Sequence, residues 1–325
     1  MSMADLVLGV ALATGYALAG DPGHPLPDTA TAFDRHRMRT ALDALERAGV
    51  HFLLLDDDFG PLQEGDRWIP RPDPTVFCSF IAQLCTRIGF VVTTQTAQLE
   101  PFHVAKHLQT VDNASHGRAG WSVRVGQSAM AVAHIGRGTK MSAQDELAEA
   151  GEFADVVTKL WDSWEAGAVI RDVERGLYLD LDRVHHINFR GRFLSVRGPS
   201  LHPRSPQGRP PIFTRVVDAG TAGFAKDWAD VAIAADDAST PGTPRTLLEI
   251  PLTGRETAAS LREQVSAAGA DGLVLVCPTG RALPLSAIAE LAAGLPLRQP
   301  PLGASLREAL GLDVADNQYT RARRA

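Results

Sequence analysis

The 325-residue sequence is poor in the residues that staple small proteins together. It has three cysteines, Cys78, Cys85 and Cys277, an odd number without Cys-x-x-Cys spacing, which argues against a disulfide framework and a cysteine-based zinc site. Excess positive charge is missing as well. The 32 Lys and Arg stand against 38 Asp and Glu, a formal charge of −6, so the clustered cations that nucleic-acid binding requires have no source. No apolar run reaches the ~20 residues needed to cross a bilayer. The apolar stretch 6–19 follows Asp5 and has no basic leader, so it reads as a strand and its loop and not as a signal segment. Fixed-period repeats are absent, and the one biased tract is a short polar stretch over 236–245. Together these absences point to a cytoplasmic protein that handles a small molecule.

What is present is a large core: 45% of residues are hydrophobic and 22% charged, the balance of an enzyme-sized globular domain. Eight short apolar runs fall at 6–12, 51–55, 89–94, 120–125, 212–217, 231–234, 247–251 and 272–276. Helical patterns lie between most of them, over 32–48, from the Asp73-Pro74 cap with Phe77, Ile81, Leu84 and Cys85 on one stripe, and over 143–164. Strands alternating with helices predict a parallel sheet, here a single (β/α)8 TIM barrel over residues 1–312. The segment 167–210, rich in Arg, His, Gly and Pro, is too long for a plain loop and is expected to form a hairpin and a cover over one barrel face, inserted between strands 4 and 5. Residues 235–246 read as a loop where a helix would be normal, and 313–325 as a frayed tail.

Three blocks carry a resemblance. The first is Ile88-Gly89-Phe90-Val91-Val92-Thr93-Thr94, then Pro101-Phe102-His103-Val104-Ala105-Lys106, then Thr110-Val111-Asp112-Asn113-Ala114-Ser115-His116-Gly117-Arg118-Ala119-Gly120-Trp121. The second runs from Lys159-Leu160-Trp161-Asp162-Ser163-Trp164 through His186-Ile187-Asn188-Phe189-Arg190-Gly191-Arg192-Phe193 and Val196-Arg197-Gly198-Pro199 to Pro203-Arg204-Ser205-Pro206-Gln207-Gly208-Arg209-Pro210. The third is Gly269-Ala270-Asp271-Gly272 with Ser305-Leu306-Arg307-Glu308-Ala309-Leu310-Gly311-Leu312. In this order they resemble the luciferase-like flavin monooxygenases, in the nitrilotriacetate and dibenzothiophene-sulfone monooxygenase branch. The resemblance implies reduced FMN, or another flavin or a deazaflavin, supplied by a separate flavin reductase. It also implies oxygen insertion into a small organic substrate at the C-terminal mouth of the barrel, in a homodimer.

The same resemblance marks departures. An Asn that would hydrogen-bond the flavin is Ser122, a following hydroxyl or His is Gly126, and a Tyr early in the long helix is Leu147. The Gly-Ala-Ser phosphate cradle after the fifth strand is Val216-Val217-Asp218. Candidate cofactor-binding residues are Asp57, Thr94, Gln95, Ser122, Arg124, Arg215 and Asp218, and the candidate catalytic residue is His24, the one histidine left in the first loop, which also reads as a surface turn. Period-two alternation puts Ser122 and Arg124 on one face, so Arg124 meets either an anionic group of the flavin or substrate, or an acid of the protein, with Asp218 the nearest choice. In the first case the chain is a flavin enzyme with a rebuilt phosphate site. In the second it is a non-catalytic paralogue whose mouth is filled by an Arg124–Asp218 pair, acting as a partner subunit or ligand-binding module. A barrel hydrolase would need paired carboxylates from Asp56, Asp57, Asp58 and Asp218. His185-His186 lacks a third ligand and reads as a structural or substrate-lid pair.

Overall fold

The computed structural model describes residues 5–21, 26, 31–57, 59–60, 62–64, 67–126, 129–135, 141–235 and 242–320. Eight parallel strands close into a barrel: β1 (Val7–Leu12), β2 (Phe52–Leu55), β3 (Gly89–Gln95), β4 (Ala119–Arg124), β5 (Ile212–Val216), β6 (Val231–Ala234), β7 (Arg245–Pro251) and β8 (Gly272–Val276), each paired with its chain neighbour and β8 with β1. Helices pack outside: α1 (Arg35–Arg47), α2 (Pro74–Ile81), α3 (Pro101–Ala114), α4 (Ala129–Ile135), α5 (Ala143–Asp162), α6 (Ala219–Trp228), α7 (Ala258–Ala267) and α8 (Leu285–Ala293). The (β/α)8 expectation holds. Residues 235–244 join β6 to β7, and 236–241 of that loop lie outside the described residues.

Alternation along each strand builds two cores. Val7, Phe52, Leu54, Val91, Phe213, Ile233, Leu247 and Val274 fill the lumen, while Leu8, Leu53, Val92, Trp121 and Leu273 meet the helices. The start of the barrel is plugged by the short helix α9 (Leu306–Ala309), whose Leu306 and Leu310 join the lumen cluster. That plug explains two glycines: a Cβ at Gly89 would come within 2.6 Å of Leu306, and one at Gly120 within 3.0 Å of it. Arg118, buried before β4, donates to the carbonyls of Ala82, Cys85, Ile88 and Ser115, so the guanidinium ties the turn before β3 to the one before β4 without a carboxylate.

The excursion forms two hairpins, Val169–Asp172 with Leu177–Leu179 and Phe189–Arg190 with Ser195–Val196. The second hairpin lies against α5 and the chain after it against α3: Glu152 accepts from the backbone of Arg192, Phe193 and Leu194, Ser200 donates to Gln109, and Trp164 to the Ser200 carbonyl. His185 pairs with Glu165 at 2.6 Å and His186 with the Gly198 carbonyl at 2.6 Å. The tail expectation needs correction. Residues 313–320 are anchored, because the buried Asp162 accepts from Gln318 and its carbonyl from Asn317, and the Tyr319 ring stacks on His185 at 4.4 Å. Residues 321–325 lie outside the described residues. No helix among the described residues is long and apolar enough to cross a membrane.

Candidate functional site at the barrel mouth

At the C-terminal ends of the strands the lumen turns from apolar to charged. Arg124 ends β4, Arg215 comes from β5, Glu249 from β7, and Asp56 directly follows β2. They form one chain of ion pairs. Asp56 Oδ1 accepts from Arg124 Nη2, Asp56 Oδ2 from Arg215 Nη1 at 2.6 Å, and Glu249 from Arg215 Nε at 2.8 Å. Burial pushes the Asp56 carboxyl up, but the Arg215 and Arg124 guanidiniums outweigh it and hold the group below the usual carboxylate range. Burial likewise opposes the charge on Arg215, and Asp56 and Glu249 more than restore it.

A cavity opens on each side of the two arginines. One, of about 380 Å³, is lined by Thr93, Gln95, Ser122, Arg124, Glu146 and Arg215 among others; the second, of about 360 Å³, by Ala13, Asp56, Arg71, Glu249 and Cys277 among others. Both guanidiniums border both cavities. Thr93 is buried, and its hydroxyl has no hydrogen-bond partner among the described residues. Burial raises the Cys277 thiol to about 12, so it stays protonated. A larger cavity of about 660 Å³ lies elsewhere, lined by Trp164, Arg204, Gln207 and Arg307 next to the plug. Neither mouth cavity is lined by the excursion 167–210.

Gln95, Ser122, Arg124 and Arg215 are therefore brought together as the sequence pattern suggests. Three other candidates fall elsewhere. Thr94 faces outward, and its hydroxyl accepts the Trp121 indole N–H at 2.7 Å between sheet and helices. Asp57 is not part of the chain of ion pairs: it pairs with Arg71, which lines the second cavity, at 3.2 Å, and its neighbour Asp56 supplies the carboxylate between the two arginines. Asp218 is exposed and does not meet Arg124. It is the N-cap of α6, accepting from the Thr221 N–H at 2.7 Å in a capping box, and that bond is what holds its carboxyl low. The anion-attracting start of α6 is thus already occupied by the chain's own carboxylate. His24 lies outside the described residues. Glu249, Arg71 and Glu146 are mouth residues that the sequence pattern did not single out, and Asp56 entered it only as a carboxylate of the hydrolase alternative. A charged residue at alternate positions of an otherwise apolar strand, as at Glu249, was the available signal.

The luciferase-like monooxygenase family model matches residues 14–272, and the chain belongs to that family. It is 31% identical over 269 residues to N-acetyl-S-(2-succino)cysteine monooxygenase of Bacillus subtilis (strain 168), covering 82% of this chain and 58% of that protein. It is 39% identical over 158 residues to nitrilotriacetate monooxygenase component A of Aminobacter aminovorans, covering 48% and 34%. The chain spans little more than half the length, or less, of these two relatives. One of the subunits of pristinamycin IIA synthase from Streptomyces pristinaespiralis matches nearly end to end, 31% identical over 280 residues, 86% of this chain and 90% of that one. Among solved structures, DmoA from Hyphomicrobium sulfonivorans superposes with a TM-score of 0.80 at 19% identity, over 99% of this chain and 96% of that one.

Proposed function

We propose that the chain is the oxygenase barrel of a two-component flavin-dependent monooxygenase acting on a small organic substrate, with its cofactor at the barrel mouth. The observation that carries this reading is the pair of guanidiniums, Arg124 and Arg215, facing a cavity that Ser122, Gln95 and the unpartnered Thr93 hydroxyl also line. This set fits the anionic end and the polar edge of a flavin, by a route different from a helix-terminus cradle, which Asp218 closes. Reduced FMN delivered by a separate reductase would, when bound, supply the electrons that activate dioxygen, whereas a deazaflavin in the same place would serve hydride transfer instead. The protein's part is to bind and orient: Arg124 and Arg215 hold negative charge, Ser122 and Gln95 offer hydrogen bonds, and Phe52, Leu54, Val91 and Phe213 floor the site with apolar surface that keeps water from below. The working form is a cytoplasmic dimer.

The near end-to-end match to one component of a multi-subunit synthase favours one second reading, in which the barrel works as the partner of a larger oxygenase chain. Anaerobic calorimetric titration with reduced FMN separates the two. Micromolar binding that weakens about tenfold or more in Arg124→Ala, the value of one charge-assisted contact, supports the enzyme. Absence of binding for FMN and for a deazaflavin at millimolar ligand supports the partner role.

A further inference from the structure

The register of β4 and β5 pairs Phe213 with Ser122 and Thr214 with Val123, so continuing it one residue puts Arg215 opposite Arg124. Two like charges side by side on neighbouring strands repel, and the pair is stable only with an anion between them. Asp56 is that anion. It comes from the end of β2, two strands away from β4, and gives one oxygen to each guanidinium, as a bound carboxylate or phosphate would. We propose that the Arg124–Arg215 pair is an oxyanion-binding site, that Asp56 is its internal occupant, and that the oxyanion of a ligand binds by taking Asp56's place.

Four features fit an exchangeable occupant. Both arginines border both mouth cavities, so an incoming group can approach from either side. Glu249 separately holds Arg215 through Nε, which keeps that guanidinium aimed when Asp56 leaves. The Thr93 hydroxyl supplies a further hydrogen-bonding group on one side. Finally, Asp56 itself lines the second cavity, of about 360 Å³, so its withdrawal would open both guanidiniums to that space. The proposal deepens the functional reading above, since the displacing oxyanion is either the phosphate of the cofactor or the carboxylate of a substrate.

The test removes the occupant and supplies the replacement. Binding of inorganic phosphate, and separately of acetate, is measured by calorimetry on the full chain as wild type and as Asp56→Asn, with thermal unfolding in phosphate against chloride at equal ionic strength. Expected is at least about tenfold tighter phosphate or acetate binding in the variant. Phosphate but not chloride should raise its melting temperature, and both effects should vanish in Asp56→Asn/Arg124→Ala. If acetate is preferred the site is built for a substrate carboxylate; if phosphate, for the cofactor. Equal affinity in wild type and variant, or an effect that persists without Arg124, overturns the proposal. Should Asp56→Asn fail to fold, Asp56→Glu, which keeps the charge but lengthens the reach, is expected to bind phosphate no better than wild type, and tighter binding there refutes the exchange. Riboflavin, which has no phosphate, is titrated in parallel. Its binding without a phosphate effect sinks the oxyanion site alone, and a phosphate effect without flavin binding sinks the cofactor reading alone.

Discussion

His51 sits just before β2, and both of its ring nitrogens are committed: Nδ1 accepts from the Leu8 N–H at 3.1 Å and Nε2 donates to the Arg298 carbonyl at 3.0 Å. Burial therefore favours the neutral ring and lowers its pKa from 6.5 to about 4. The unfolded chain takes up this proton first as pH falls, so the contribution is whole above 6.5 and is lost on the way down toward 4. At pH 5 the loss is about 2 kcal/mol. Urea unfolding of wild type and His51→Gln at pH 7 and pH 5 isolates it, because groups such as Asp112, which burial raises to about 6, titrate alike in both. The gap between the two proteins is expected to narrow by that amount at pH 5, and a constant gap would remove His51 from the account. At the same scale lies the clearest limit of sequence reading. In Phe52-Leu53-Leu54-Leu55 every residue is apolar, because a barrel strand is buried on both faces. Such a strand carries no parity, so nothing in the sequence separates Asp56, which bridges Arg124 and Arg215, from Asp57, which pairs with Arg71. Strand β4 was legible by contrast, since Ser122 and Arg124 break its apolar run at alternate positions and fix which face they share.

Among the elements, the strands were readable to within a residue or two, because short apolar runs bounded by turns and helix caps leave few alternatives. Side-chain reach across the barrel was not. Arg124 finds Asp56 across the lumen and not Asp218 nearby, because Asp218 has a stronger local use as the cap of α6. The smallest helix carries a large structural duty. Leu306 of α9 is buried against the lumen cluster, and Gly89 and Gly120 are hollowed to receive it. Leu306→Ala leaves a cavity at the foot of the barrel that the closed sheet cannot collapse around, and is expected to cost about 2–5 kcal/mol by chemical denaturation. A cost below ~1 kcal/mol would mean that α9 caps the barrel without supporting it.

Across the whole molecule, function and support sit at opposite ends of the barrel. The mouth holds the ion-pair chain and its two cavities, while the foot is closed by α9 and by the segment 313–320. That segment lacks an apolar pattern, which is why the sequence reads as a frayed end; its attachment is polar and long-range, and such contacts leave no local periodicity. Arg307 Nε donates to the Asp313 carbonyl, Arg204 Nη2 to the Ala315 carbonyl and Arg209 Nη2 to the Asp316 carbonyl, while Gln318 shares the buried Asp162 with Arg204. Ending the chain after Leu312 strips these carbonyls from three arginines and one donor set from a fully buried carboxylate, with no cavity at the mouth touched. At ~0.5–1.5 kcal/mol for each net hydrogen bond, plus the larger penalty for a buried charge losing partners, a loss of about 3 kcal/mol or more is expected in guanidinium unfolding. Ligand affinity of the folded fraction should be unchanged, because the ion-paired residues Asp56, Arg124, Arg215 and Glu249 are held by β2, β4, β5 and β7. If truncation instead weakens ligand binding at constant stability, the two ends of the barrel are coupled, and the division of labour argued from their separate contacts fails.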